Sequence, residues 1–330
     1  MRVLVSGGAG FIGSHLVDLL VESRYEVSVL DNLSTGRMNN ISQHKPSSVR
    51  FFEGSVEDPV AVAEALEGCT RVFHLAALAD IVPSIVNPSE YFRSNVVGTG
   101  VIVEAARRAG VEKFVYAASS SCYGIPDNYP TPEDQPASPQ YPYAFTKLVG
   151  EEIIEHWNLV YGLPAVSLRL FNVYGPRSRT SGTYGAVMGV FLAQRLAGKP
   201  LTIVGDGSQT RDFTYVTDVA RAFLMAAESN VSRGSFNVGS GGTYSVRRLA
   251  ELIGGDTVSV PLRPSEPQTT WADTSKIREL IQWEPQVDFE AGVMKVMERI
   301  EDWRDAPVWE PSSIAEATRD WFTYLGTHNT

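Results

Sequence analysis

Arg2-Val3-Leu4-Val5-Ser6-Gly7-Gly8-Ala9-Gly10-Phe11-Ile12-Gly13 runs from a short apolar stretch into a glycine-rich turn, and Ser14 to Leu20 continues as an amphipathic helical pattern. Strand, glycine turn and helix in that order are the context that dinucleotide binding requires. The spacing is Gly7-x-x-Gly10-x-x-Gly13 rather than G-x-G-x-x-G, but the physical logic is shared. A tight turn lets backbone N–H groups and the helix N-terminus face a pyrophosphate, and a position without a side chain lets helix and strand pack closely. Taken alone, the glycines also suit an ordinary strand-to-helix turn. Asp31 decides between the two. It ends a second apolar run, Val27-Ser28-Val29-Leu30, 18 residues after Gly13. An acid there accepts hydrogen bonds from an adenosine ribose 2′-OH and repels a 2′-phosphate. No Arg adjoins it at Asn32 or Leu33, so the expected cofactor is NAD rather than NADP.

The alternation continues along the chain. Val49 to Phe52 reads as a strand, Pro59 to Leu66 as a helix, and Arg71 to Leu75 as a strand closing on Ala76 and Ala77, small residues that let a ligand approach the backbone. Pro88 to Ala109 reads as one long helix containing Asn95, and Lys113 to Ala118 as the strand that delivers Ser119. Pro126 to Pro142 is a loop leading into the helix of Tyr143, and Ala165 to Leu170 is a strand ending in Phe171-Asn172. This rhythm predicts an α/β fold: a doubly wound parallel Rossmann sheet with ligands at the carboxyl ends of its strands, plus a smaller C-terminal substrate-binding lobe. The expected division is a Rossmann domain over 1–170, joined by a later helix near 217–228, and a substrate lobe over 171–330. The cleft between them is the expected substrate site. Pro307 to Leu325 reads as an added C-terminal helix anchored by Trp309, Trp321 and Phe322.

Bulk properties narrow the function classes. A net charge of -10 leaves no basic stripe for nucleic-acid phosphates. Two cysteines, Cys69 and Cys122, form no disulfide framework and no zinc spacing, so no metal is expected. Met1 leads straight into a strand and no apolar run reaches 18 residues. No membrane association is expected, and a cytoplasmic location is.

The chemistry is carried by Ser119-Ser120-Ser121-Cys122-Tyr123-Gly124 and by Tyr143-Ala144-Phe145-Thr146-Lys147. Tyr143 and Lys147, at i and i+4, lie on one helix face about one turn apart. If that helix packs beside the strand ending near Ser119, a hydroxyl, a phenol and an ammonium converge. A phenol serving as a base at neutral pH needs its pKa lowered by about 3, or about 4 kcal/mol. An ammonium about 4 Å away in a partly screened site supplies energy of that order. The same five residues also suit a Tyr resting on the stem of a surface Lys; it is the nucleotide-binding start of the chain that favours chemistry. Cys122 has no nearby His to activate it and reads as a small buried hydrophobe.

With these residues in hand, the chain resembles the extended short-chain dehydrogenase/reductase superfamily, and within it the UDP-glucose and UDP-N-acetylglucosamine 4-epimerases. The motifs that carry the likeness are GGAGFIG, DNLSTG, HLAA, SNVVGT, YAFTK, RLFNVYGPR, GDGSQTRDFTYV and FNVGSG, and they run from Met1 to about Val296. The resemblance implies that Gly7, Gly10, Phe11, Ile12 and Gly13 hold NAD together with Asp31, Asn32, Ser34, Thr35 and Gly36. It adds Ser55, Val56, Leu75, Ala76, Ala77, Asn95, Tyr143, Lys147 and Phe171 to the cofactor contacts. Ser119, Tyr143 and Lys147 are the implied catalytic group. Ser84, Ser121, Asn172, Val187, Arg211, Arg263 and Thr270 join Ser119 and Tyr143 as implied substrate contacts. The family commonly forms homodimers through its two long helices, here around Pro88–Ala109 and Tyr143–Tyr161. Ser55 departs from the pattern, because relatives usually carry an acid there that meets the adenine. Ser120-Ser121 stand where resembling 4,6-dehydratases carry Asp-Glu, and where UDP-glucuronate decarboxylases carry Glu at the second position. Chemistry beyond oxidation and re-reduction therefore lacks its tools. The expected function is a UDP-sugar 4-epimerase that interconverts UDP-GlcNAc with UDP-GalNAc, and UDP-Glc with UDP-Gal, by transient oxidation at C4. In the resembling epimerases the residue before a W-A-D triplet closes the pocket over the sugar C2; here that residue is Thr270, small enough to admit an N-acetyl group and able to hydrogen-bond it. UDP-glucuronate 4-epimerase or decarboxylase, another nucleotide-sugar dehydratase or reductase, and a cofactor-sensing regulator are the alternatives.

Overall fold

The computed structural model describes residues 1–178 and 184–326. Seven parallel strands form the central sheet: β1 (Arg2–Ser6), β2 (Glu26–Asp31), β3 (Val49–Glu53), β4 (Cys69–His74), β5 (Lys113–Ser119), β6 (Ala165–Leu170) and β7 (Ser235–Val238). Their spatial order is β7-β6-β5-β4-β1-β2-β3, so the chain starts in the middle, winds outward to β3, then returns through β4 and winds the other way. Side chains alternate across the sheet. Val3 and Val5 enter one core with Leu16, Val29, Phe73 and Val115, while Leu4 enters the opposite core with Leu30, Val72, Ile102 and Phe114. Because both faces are covered, apolar residues from both sides of the strands are buried.

Segments beyond residue 170 pack on the first lobe, among them the helix near 217–228 and a strand that the sequence reading did not assign. The helix Val216–Glu228 packs on the helix Phe11–Glu22, and β7 pairs with β6 in the central sheet. Phe223, Phe236 and Trp283 lie in the same core as Val3. The first lobe thus takes back segments far along the chain, because the exposed edge of β6 needs a partner strand. The second lobe has its own core, in which Phe191, Leu249, Phe289 and Trp303 are fully enclosed or nearly so. It is built on short pairings, Leu201–Val204 with Thr257–Val260 and Thr210–Arg211 with Tyr244–Ser245.

Two expected helices are reshaped. Pro88–Ala109 is helical throughout, but Arg93–Val97 is a π segment between Pro88–Phe92 and Gly98–Ala109. The widened turn lets Asn95 point inward, where its carbonyl accepts from the Leu78 N–H (2.9 Å) and its amide donates to Leu78 O (3.0 Å) and Thr146 Oγ1 (3.0 Å). The C-terminal segment forms two short helices, Pro311–Ala317 and Arg319–Leu325. Trp321 is buried in it, whereas Phe322 is exposed. No helix among the described residues is long and apolar enough to cross a membrane.

Candidate active site

The glycine turn is shaped by backbone contact. Gly7 has φ +72°, and a Cβ there would lie 2.7 Å from Ala76 N; a Cβ on Gly13 would lie 2.1 Å from Gly7 O. Only glycine fits at either place. The helix Phe11–Glu22 begins at Gly10 with no side-chain cap, so its first N–H groups face the cleft, where a pyrophosphate would satisfy them. At the end of β2, the Asp31 carboxylate accepts from Ala9 N (3.0 Å) and Leu33 N (2.9 Å), and burial pushes its pKa up. Two backbone donors hold it in place with lone pairs left for a ribose diol. The Arg37 guanidinium donates to the carbonyls of Arg177 and Ser178. These residues fit NAD.

A cleft of about 650 Å³ runs from the glycine turn across the carboxyl ends of the strands into the second lobe. Most of the expected cofactor residues line it: Gly7, Gly10 to Gly13, Asp31, Asn32, Ser34, Thr35, Ser55, Val56 and Leu75 to Ala77. Ser119, Ser121, Tyr143, Lys147, Asn172, Val187, Arg211, Arg263 and Thr270 line its other half.

Four expected contacts stand behind the wall. Gly36 passes over Asp31, where a Cβ would lie 2.7 Å from Oδ1. Asn95 spends its amide on Leu78 and Thr146, so it positions the loop after β4 against the helix of Tyr143. Phe171 packs with Cys122, Tyr123 and Ala272, and the buried Ser84 hydroxyl donates to Ile81 O at 2.6 Å. These four shape the site without facing it.

Ser119 at the end of β5 and Tyr143 on the helix Pro142–Tyr161 meet, the phenol donating to Ser119 Oγ at 3.3 Å. Burial pushes the Tyr143 phenol above its ordinary pKa; the Ser119 hydrogen bond works against this, and the Asp80 carboxylate adds to it. Lys147 is also enclosed, and burial lowers its pKa to about 7, opposed by Glu151. Its ammonium lies 4.2 Å from the centre of the Tyr116 ring, a cation–π contact that favours the charged form. Glu151 is largely committed elsewhere, paired with Arg169 at 2.6 Å and accepting from Ser235 Oγ at 2.6 Å. In the protein by itself burial dominates both groups; the positive charge of a nicotinamide bound beside the phenol would add to that of Lys147.

Other ionisable motif residues are structural. His74 of HLAA is fully enclosed between Ser6 Oγ (2.7 Å) and Thr99 Oγ1 (2.9 Å), and burial drives its pKa to about 3. Burial pushes the Cys122 thiol up to about 12, which removes it as a nucleophile. No cluster able to hold a metal occurs among the described residues.

The two arginines expected at the substrate, Arg211 and Arg263, converge on one acid that sequence reasoning missed. Glu266 accepts from Arg211 at 2.7 Å and lies 3.7 Å from Arg263. Tyr141 was missed as well; its ring lies nearly parallel to that of Tyr143 at 6.4 Å. Its place at i−2 from the phenol was the only signal, and a weak one.

A doubly wound sheet with a glycine turn, an acid ending β2 and a Ser-Tyr-Lys group defines a nicotinamide-dependent enzyme of the short-chain type. The chain belongs to the NAD dependent epimerase/dehydratase family, which matches residues 3–239. Among its relatives, the UDP-glucose 4-epimerase of Mycolicibacterium smegmatis is 39% identical over 308 residues, covering 90% of this chain and 98% of the relative. The crystal structure of a UDP-glucose 4-epimerase with UDP-glucose from Thermotoga maritima has a TM-score of 0.86 at 35% identity, covering 92% of this chain and 99% of that one. A UDP-N-acetylglucosamine 4-epimerase from Methanobrevibacter ruminantium in complex with UDP-N-acetylmuramic acid has a TM-score of 0.83 at 32% identity, covering 90% and 98%.

The pKa of Lys147 has a consequence for stability. Below about 7 the folded protein carries a buried ammonium that burial disfavours, and above it an uncharged amine. The unfolded chain holds that proton up to the ordinary lysine range of about 10.4. Stability contributed by this residue therefore rises with pH from about 7 upward. In cofactor-free protein, the melting temperature of wild type minus that of Lys147→Met should increase over this interval. A difference that is flat or falls with pH would contradict the burial argument.

Proposed function

We propose that this protein is a UDP-sugar 4-epimerase acting through transient oxidation at C4. The observation that carries the proposal is the Tyr143–Ser119 hydrogen bond in the wall of the cleft that begins at the NAD turn, with no carboxylate pair at Ser120-Ser121. Bound NAD supplies a hydride acceptor that can also return the hydride. Tyr143 removes the proton from the sugar 4-OH, and Ser119 holds the same oxygen in hydrogen-bonding reach. The proton returns to the 4-keto oxygen from Tyr143 after the sugar has turned its other face to the nicotinamide. Elimination or decarboxylation would need a further acid or base beside Tyr143, and Ser120 and Ser121 provide neither.

Arg211 and Arg263 suit the diphosphate, the fixed pivot about which the sugar turns. Glu266 keeps these two cations together and half-neutralised; a diphosphate brings more charge to the same pair. Relatives crystallised with UDP-linked sugars support a UDP substrate.

The finer reading concerns the C2 substituent. Thr270, just before Trp271-Ala272-Asp273, lines the cleft. Its hydroxyl donates to Asn172 Oδ1 (2.7 Å) and accepts from Asp212 N (3.0 Å), which commits its proton and leaves one lone pair for an acetamide N–H. Small size and that lone pair support turnover of UDP-GlcNAc and UDP-GalNAc beside UDP-Glc and UDP-Gal.

Purified protein given each of these sugars, with products identified by NMR, should interconvert both neutral pairs. Tyr143→Phe should lower turnover by at least about 10²-fold while NAD content is kept; a near-wild-type rate removes Tyr143 from the chemistry. Filling a packed pocket costs about 1–3 kcal/mol, so Thr270→Tyr should cut kcat/KM for UDP-GalNAc by about 5- to 150-fold and spare UDP-Gal. Equal losses on both sugars, or a wild type inactive on UDP-GalNAc, would overturn the C2 assignment.

A further inference from the structure

The family match ends at residue 239, yet the last helix of the chain enters the cleft. Arg319–Leu325 packs against Ile81–Val86 of the first lobe. Trp321, almost fully buried, lines the cleft from this helix. Its indole N–H donates to Pro264 O at 2.8 Å, which fixes the loop carrying Arg263. The Arg263 guanidinium lies between two rings, 5.6 Å from the centre of Trp321 and 4.8 Å from that of Tyr184, whose hydroxyl accepts from it. On its other side Trp321 meets the Tyr141 ring at 6.2 Å, at the start of the helix that carries Tyr143. One side chain therefore touches the catalytic helix of the first lobe and the cationic loop of the second.

We propose that Trp321 is a positioning residue that makes the C-terminal helix part of the substrate site. An Arg on a loop loses side-chain freedom when it grips an anion, and that loss weakens binding. Two rings and a backbone anchor hold Arg263 in place beforehand, so the diphosphate meets a cation already aimed at it. The contact with Tyr141 sets the distance between that cation and Tyr143, the span the nucleotide sugar must bridge. This inference rests on the diphosphate reading of Arg263.

The probe is UDP itself, which lacks the sugar and so reports the cation without the chemistry. Cation–π contacts of this kind correspond to about a 2- to 30-fold change in affinity, so Trp321→Ala should weaken UDP binding, measured by titration calorimetry on the NAD-loaded protein, by that factor. KM for the UDP-sugar should rise in step while kcat changes less and NAD content stays at the wild-type value. Trp321→Phe keeps a ring over Arg263 and loses only the bond to Pro264, so its loss should be smaller than that of the alanine variant. Wild-type UDP affinity in both variants, or in the phenylalanine variant where the alanine variant does not fold, would overturn the proposal. Loss of NAD together with UDP would also overturn it, since the residue would then support the fold as a whole. A wild type that does not bind UDP would overturn the diphosphate reading, and this inference with it.

Discussion

A parallel sheet places the carboxyl ends of all its strands on one edge, and this protein depends on that constraint. The β1 edge carries the glycine turn, β2 ends in Asp31, β4 is followed by Ala76 and Ala77, β5 ends in Ser119, and β6 leads into Phe171-Asn172. The edge works only because the backbone at Gly7 approaches Ala76 N and Gly13 approaches Gly7 O, at distances that exclude any side chain. Those contacts bring the uncapped N-terminus of the first helix onto the edge. Everything a dinucleotide needs then follows from strand order.

Burial sets a cost against that order. Enclosing Tyr143 and Lys147 disfavours the charged form of both groups. Tyr116 under the ammonium and Ser119 on the phenol offset part of this. In the proposed reaction the remainder is met by a positive charge beside the phenol, which NAD in its oxidised state carries.

Legibility in the sequence followed contact range. The first six strands were readable because each is a short segment rich in apolar residues that lies between turn or helix signals, and those signals are local. Asn95 was readable as a site residue but not in its role, since its partner Leu78 lies in a loop 17 residues earlier. Ser84 and Phe171 face inward for the same kind of reason. In the second lobe, pairings of only two to four residues leave little periodicity. Glu266 takes its meaning from Arg211, 55 residues away, and Trp321 from Arg263 and Tyr141. Return of β7 to the first lobe is a tertiary event that no local pattern announces.

In the proposed reaction a single hydride leaves C4 of a UDP-sugar and returns to it within one enzyme. UDP-galactose carrying deuterium at C4, given to purified protein without added nucleotide, should yield UDP-glucose that retains its deuterium at C4, with none in solvent and no free reduced cofactor. Deuterium washed out into water, or recovered in released reduced NAD, would contradict it.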